Sequence, residues 1–353
     1  MLSRVANSLY WMSRYLERAE NTARLVDVNL QHLLDIRALD DQALTVHWMP
    51  IVQSSGDETL FTALHPRATG EAVTEFLVFQ GTNDNSVLNA VSHARENARM
   101  VRDQITVELW EELNRLYLFL RSQRARQHLR SSPAEFFQEI KNASLLLQGL
   151  ADATVVRDEG WHFIHLGRYI ERADKTSRIL DVAHGHFAAK GVPGPASPGI
   201  ILSLSAILRS CSGWDAYQYL HGADVQLTNV TELLLLSESF PRSVRFCIEQ
   251  LNTALRRISG VAAGRFSNEA EKLSGRLLAE LQFNTAVEIL EAGLHDYIDL
   301  LQARLNTIGV ALFDTYILHA FQEDEAYSLR QQEEQQQQKQ AARAAEIQRS
   351  GNV

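Results

Sequence analysis

RYLERAENTARLVDV, covering Arg14 to Val28, returns as RYIERADKTSRILDV, covering Arg168 to Val182. Nine of the fifteen aligned positions are identical, where chance gives roughly one, so the chain carries an internal duplication. Most of the differences are mild, such as Leu16/Ile170, Glu20/Asp174 and Leu25/Ile179. The charged positions recur as faithfully as the apolar ones. A helix needs its apolar stripe to fold, but it rarely needs one particular charge, so the repeated Glu and Arg single out a polar site.

Around the first copy, Leu2, Val5, Leu9, Met12, Leu16, Ala19, Ala23, Val26, Leu30 and Leu33 follow unbroken 3-4 spacing. That pattern predicts one long amphipathic helix from about Ser3 to Leu39. The second copy gives Val156, Phe163, Leu166, Ile170, Ala173, Ser177, Leu180 and Phe187, again a long helix. Small residues at Ala19/Ala173 and Ala23/Ser177 predict close approach by another helix. Strand-type alternation is scarce and only seven prolines interrupt the chain. The fold class that follows is all-α: a multi-helix bundle with an internally duplicated long helix about a pseudo-two-fold.

Between and after the copies the expected order is as follows. An irregular stretch runs around Pro50 to Gly70, and Asn83 or Asn85 caps the next helix, which starts near Val87 and breaks near Thr106. Ser132-Pro133-Ala134-Glu135 starts another. The stretch at 191–199, GVPGPASPG, is the best linker candidate, dividing one domain over 1–321 into halves 1–190 and 199–321. Helices are expected near Ile200–Ser210, Val225–Leu236, Pro241–Ser259, Asn268–Leu281 and Thr285–Leu305, with a last one from about Gly309. The Gln-rich stretch 322–353 lacks an apolar stripe and reads as a frayed or disordered tail.

The chain has 353 residues and a formal net charge of -9. That balance argues against nonspecific binding to nucleic acid or to an anionic membrane, which want a basic surface. No apolar run approaches a spanning segment, and the first residues lack the apolar core of a signal peptide. Cys211 and Cys247 stand alone in apolar helical stretches and read as buried free thiols. A reducing cytoplasm fits.

On the duplicated helices, Glu17 and Arg24 lie two turns apart on one flank, beside Arg14, Arg18 and Asn21; Glu171, Arg178, Arg168, Arg172 and Lys175 repeat the arrangement. Glu20 with Arg24 and Asp174 with Arg178 make favourable i,i+4 pairs. A solvated face with local ion pairs accounts for such a pattern. So does a buried one, in which each charge must pair or bind something. The buried alternative predicts antiparallel helices with Glu17 facing Arg178 and Glu171 facing Arg24. A third segment, HARENARMVRDQI, sets Arg95, Arg99 and Arg102 on one helical face, with Glu96 and Asp103 for internal pairing. Arg157-Asp158-Glu159 precedes the second copy, and Arg242 with Arg245 opens another helix. Converging, these arginines form an anion pocket for carboxylate or phosphate; kept apart, they form a structural lattice.

Other chemistry is thinly marked. Glu159-Gly160-Trp161-His162 is an E-x-x-H with His165 one turn on, but no second E-x-x-H completes a di-metal bundle site. A single-metal site from Glu159, His162 and His165 is a weak candidate, and polar structural histidines are the plainer reading. No P-loop, G-x-G-x-x-G or G-x-S-x-G is present, so no cofactor is expected.

Taken together, SLYWMSRYLERAENTARLVDV (Ser8–Val28), SHARENARMVRDQI (Ser92–Ile105), RDEGWHFIHLGRYIERADKTSRILDV (Arg157–Val182), LRSCSGWDAY (Leu208–Tyr217) and FPRSVRFCIEQL (Phe240–Leu251) resemble the bacterial alpha-E family, a helical domain with a Glu-Arg motif, over about residues 1–320. Resemblance places Glu17-Arg18 and Glu171-Arg172 on that motif and brings no established catalytic role. It implies a partner: family members neighbour, or are fused to, a circularly permuted ATP-grasp protein, often beside a transglutaminase-like protein. The system it implies is one of peptide ligation or modification, in which an accessory role fits this chain; the arginines Arg14, Arg18, Arg24, Arg95, Arg99, Arg102, Arg157, Arg168, Arg172 and Arg178 are the candidates for holding its anionic substrate. The alternatives are an enzyme using Glu17 or Glu171 as general acid or base, and a metal-binding bundle.

Overall fold

Two long helices, α1 (Ser3–Asp35) and α9 (Glu159–Ala188), run side by side through the centre of the molecule. They are the two copies of the duplicated segment. This computed structural model describes residues 1–35, 41–188, 198–262 and 264–318. The described residues form sixteen α-helices and two short π-helical turns, with no strand. The fold is all-α. Most of the linker candidate and all of the Gln-rich tail lie outside the described residues.

The remaining helices pack around the central pair in the same order on each side. After α1 come α2 (Asp41–Ser55), α3 (Glu58–Leu64), α4 (Gly70–Val78), α5 (Val87–Met100), α6 (Val107–Arg121), α7 (Gln123–Ser131) and α8 (Pro133–Thr154). After α9 come α10 (Pro198–Ser210), α11 (Trp214–His221), α12 (Leu227–Thr231), α13 (Val244–Ser259), α14 (Glu269–Phe283), α15 (Ala286–Ala292) and α16 (Leu294–Phe313). α1 packs on α5 and α8, as α9 packs on α13 and α16; α5 meets α6 and α13 meets α14; α6 meets α8 and α14 meets α16. The order of contacts turns over between α8 and α9, ahead of the Pro/Gly stretch.

A second repeat, weaker than the first, underlies this. Thr74-Glu75 and Ser86-Val87 recur 157 residues later as Thr231-Glu232 and Ser243-Val244, and Leu77 recurs as Leu234, without a gap. Each serine caps the helix that follows: Ser86 accepts from Asn89 N and Ser243 from Phe246 N.

The small residues of the seam are fully enclosed: Ala19, Ala23, Ala173 and Ser177 are all 0% exposed. Partners climb the two central helices together. The Met1 amino group meets Glu159, Gly167 lies against Tyr10 and Ser13, and Glu17 meets Arg172. The helices are therefore parallel rather than antiparallel. At Gly167 they approach so tightly that a Cβ would stand 2.1 Å from the Tyr10 carbonyl oxygen.

Several local expectations need correction. Ser86 caps α5; Asn83 and Asn85 do not. The irregular stretch after Pro50 is largely helical, because burying Trp48, Ile51 and Val52 outweighs the helix penalty of about 3 kcal/mol for an internal proline. Ser132 and Pro133 do open α8, but the Ser132 hydroxyl makes no capping bond. The last long helix begins at Leu294, after Gly293 with φ +106°, and runs straight through Gly309.

Candidate functional site

Glu17 is 1% exposed and Glu171 is 0% exposed, so each carboxylate must be matched inside the protein. Each is matched by the other helix. Arg172 grips Glu17 with two guanidinium nitrogens, Nε to Oε1 at 2.7 Å and Nη2 to Oε2 at 2.8 Å. In the reverse sense Arg18 grips Glu171, Nε to Oε1 at 2.7 Å and Nη2 to Oε2 at 3.1 Å. Since 17 + 154 = 171 and 18 + 154 = 172, the two clamps exchange under the shift that relates the repeats. Neighbouring Glu and Arg thus serve opposite partners across a parallel seam.

This revises the predicted pairing. Arg24 and Arg178 do not cross the interface. They bond back to Glu20 and Asp174 within their own helices, as the i,i+4 spacing predicts. The antiparallel scheme needed partners two turns apart; in a parallel pair, adjacent residues suffice.

Further groups complete the lattice. Arg14 donates to Glu171 at 2.8 Å. Arg242, from the turn before α13, donates to Glu20 Oε2 at 2.7 Å and to Asn21 Oδ1 at 2.9 Å. Gln148 of α8 joins both members of one clamp, donating to Glu17 at 3.2 Å and accepting from Arg172 at 3.0 Å. Arg168 turns to Asp152 at 3.1 Å. Burial alone pushes a carboxyl pKa up, but the arginines prevail. Arg242 and Arg24 hold Glu20 down at about 2, and Arg14 and Arg18 hold Glu171 far below the usual carboxylate range. Such a carboxylate is a poor proton acceptor at neutral pH. The clamps occupy both oxygens of Glu17 and of Glu171, and the pattern is a lattice tying helices together.

Arginine convergence is partial. Arg14, Arg18, Arg24, Arg168, Arg172, Arg178 and Arg242 gather along α1 and α9. Arg95 is spent elsewhere, on Asn114 and Glu96 and over the Tyr117 ring. Arg99 pairs with Glu96, Arg102 lies over Trp110 and Arg157 over Trp161. Glu159, His162 and His165 do not assemble as metal ligands. Glu159 holds the Met1 amino group, while His165 bonds Asp152 and lies on Trp161. Among the described residues, the Asp/His group with ligand atoms within 4.8 Å of one another is Asp181, His295 and Asp299, largely exposed. Cys211 and Cys247 are buried free thiols, pushed up to about 12 by that burial.

Sequence reading missed Gln148, Asp152 and the direction of Arg242. The gapless repeat of 74–87 in 231–244 was the available signal, because it places Arg242 over the seam as the counterpart of Asn85 (85 + 157 = 242). Asn85 itself accepts from Arg18.

With both Glu-Arg pairs located, one comparison decides the family. The sequence model described as a predicted alpha-helical domain with a conserved ER motif matches residues 1–317. The chain belongs to the Alpha-E family. Its two ER dipeptides, Glu17-Arg18 and Glu171-Arg172, are the two halves of the reciprocal clamp. Uncharacterised proteins of Mycobacterium bovis and Mycobacterium tuberculosis are 26% identical over 308 residues. The match takes in 82% of this chain and 33% of each relative, so the chain spans about a third of the length of these relatives. No solved structure matches. No helix among the described residues is long and apolar enough to cross a membrane.

One titration checks the α9–α16 contact. Asp181 accepts from His295 at 2.7 Å and raises the imidazole pKa. The raised value means that this contact stabilises the fold fully below the unfolded histidine pKa, and that the gain is lost as pH rises through the folded one. A proton NMR titration should find His295 above the ordinary value near 6.5, and Asp181→Asn should bring it back down.

Proposed function

We propose that this Alpha-E chain is a non-catalytic accessory protein that docks an ATP-grasp ligase of a bacterial peptide-ligation or peptide-modification system and helps hold its anionic substrate. Cytoplasm, where ATP and a ligase would be available, is its place of action. The single observation carrying the non-catalytic half is the saturation of Glu17 and Glu171: both are buried, and both are clamped by arginine from the opposite helix. A general acid or base must exchange protons with substrate, and these two carboxylates have no oxygen left over for it. The partner half rests on the family resemblance. It is supported by the length of the mycobacterial relatives, in which the matched region is accompanied by about twice as much further chain.

Reconstitution tests this reading. The ligase that neighbours this chain, supplied with ATP and mixed amino acids, should retain the purified chain in a pull-down. It should also form more ligated product by mass spectrometry when the chain is present. Failure of the pull-down would count against docking. Product formation by this chain and ATP, without the ligase, would restore the enzyme alternative.

A further inference from the structure

The two sides of the central pair are not equally filled. On the α8 side, a cavity of about 20 Å³ lies beside Leu16, Ile164 and Arg168. On the α16 side, beside their counterparts Ile170, Tyr10 and Arg14, a cavity of about 330 Å³ stands open. The cause can be read residue by residue. A shift of 158 lays Gln148, Ala151 and Asp152 of α8 on Asn306, Gly309 and Val310 of α16. Asp152 supplies the carboxylate for Arg168; Val310 supplies none on the cavity side of Arg14, whose anion is Glu171. Gln148 reaches the Glu17 clamp, whereas Asn306, one methylene shorter, faces the cavity instead.

The anion on the same wall, Asp174, is less fully matched than its counterpart. Glu20 receives two arginines, Arg24 and Arg242. Its counterpart Asp174 receives Arg178 alone on Oδ2, and its Oδ1 is buried without a hydrogen-bond partner. An unmet buried acceptor is expensive, so such groups are normally satisfied.

From this cavity and the opposite charges of Arg14 and Asp174 in its wall we infer that the α1–α9–α16 cavity binds a free α-amino acid with an apolar side chain. Its carboxylate takes, at Arg14, the place that Asp152 fills at Arg168. Its ammonium lies beside Asp174, which lines the same cavity. Its side chain lies against Trp11 and Phe313. The volume suits a small ligand. Val310 and Phe313, 61% and 43% exposed, form a mouth open to solvent.

The inference goes beyond the partner reading, and its test uses this chain alone, so an absent ligase cannot produce a negative result. Calorimetric titration with L-phenylalanine and L-leucine is compared with hydrocinnamate, which lacks the amine, and phenethylamine, which lacks the carboxylate. The amino acids should bind at least about tenfold more tightly than either fragment. Val310→Asp, which recreates Asp152 at an exposed position, should weaken L-phenylalanine at least about tenfold while the melting temperature holds. Asp174→Asn should make L-phenylalanine no better than hydrocinnamate. No binding by the native chain at about 10 mM amino acid, a concentration about tenfold above a Kd of about 1 mM, would overturn the inference. So would unaltered binding by Val310→Asp, or fragments that bind as tightly as the intact amino acid.

Discussion

Glu171→Ala should lower the unfolding free energy by about 3–5 kcal/mol, because it strands Arg14 and Arg18 beside a seam that excludes water. Chemical denaturation with a circular-dichroism readout would measure it. Glu17→Ala, which strands Arg172, should behave alike. The companion variant decides the interpretation. Replacing a whole clamp, Glu17→Met with Arg172→Met, removes both charges together and should cost far less than either single change, since well-packed apolar replacements of a buried pair are often neutral. A catalytic glutamate would give the opposite result: activity lost and stability kept. Acid should act on the same groups. Glu20, held at about 2, and Glu171, held lower still, have depressed folded pKa values. Their stabilisation is complete above the unfolded carboxyl value and drains away as pH falls through the folded ones. A melting series downward from pH 5 should show the decline for the native chain and a shallower one for Glu171→Ala.

Gly167→Ala should be the most damaging single-methyl addition to the protein. Its new Cβ would meet the Tyr10 carbonyl oxygen at 2.1 Å and Ser13 Cβ at 3.2 Å. A backbone carbonyl has no rotamer by which to retreat, so the central helices must separate. Overpacking usually costs about 1–3 kcal/mol, and a clash with backbone belongs at or above the top of that range. Separation would also stretch the clamps one turn further along. Gly149→Ala is the control. Also mid-helix, it would meet nothing within 4 Å and should stabilise by roughly 0.5–1 kcal/mol through helix propensity alone. Comparing the two melting temperatures separates contact from propensity. Equal shifts would mean that the helices do not approach as closely as described.

The helical class and the central pair were legible in the 3-4 spacing, because burial of a stripe is a local property of sequence. The importance of Glu17, Arg18, Glu171 and Arg172 was legible in their repetition. Their pairing was not. Periodicity places residues on a face of one helix but says nothing of whether its neighbour runs parallel or antiparallel, and that direction alone decides between Arg172 and Arg178 as the partner of Glu17. The cavity was hidden for a related reason. Its cause is a difference between α8 and α16, Asp152 against Val310, and those helices share too few residues for the repeat to be seen until packing aligns them.

The reciprocal clamp has a consequence for ancestry. A polypeptide of half this length, bearing one Glu-Arg dipeptide on one long helix, could not satisfy its own buried charges. Two identical copies could satisfy each other across an isologous contact, forming the same two salt bridges found here. Joining such a homodimer into one chain would free its two faces to diverge, in keeping with one nearly filled side and one hollow side.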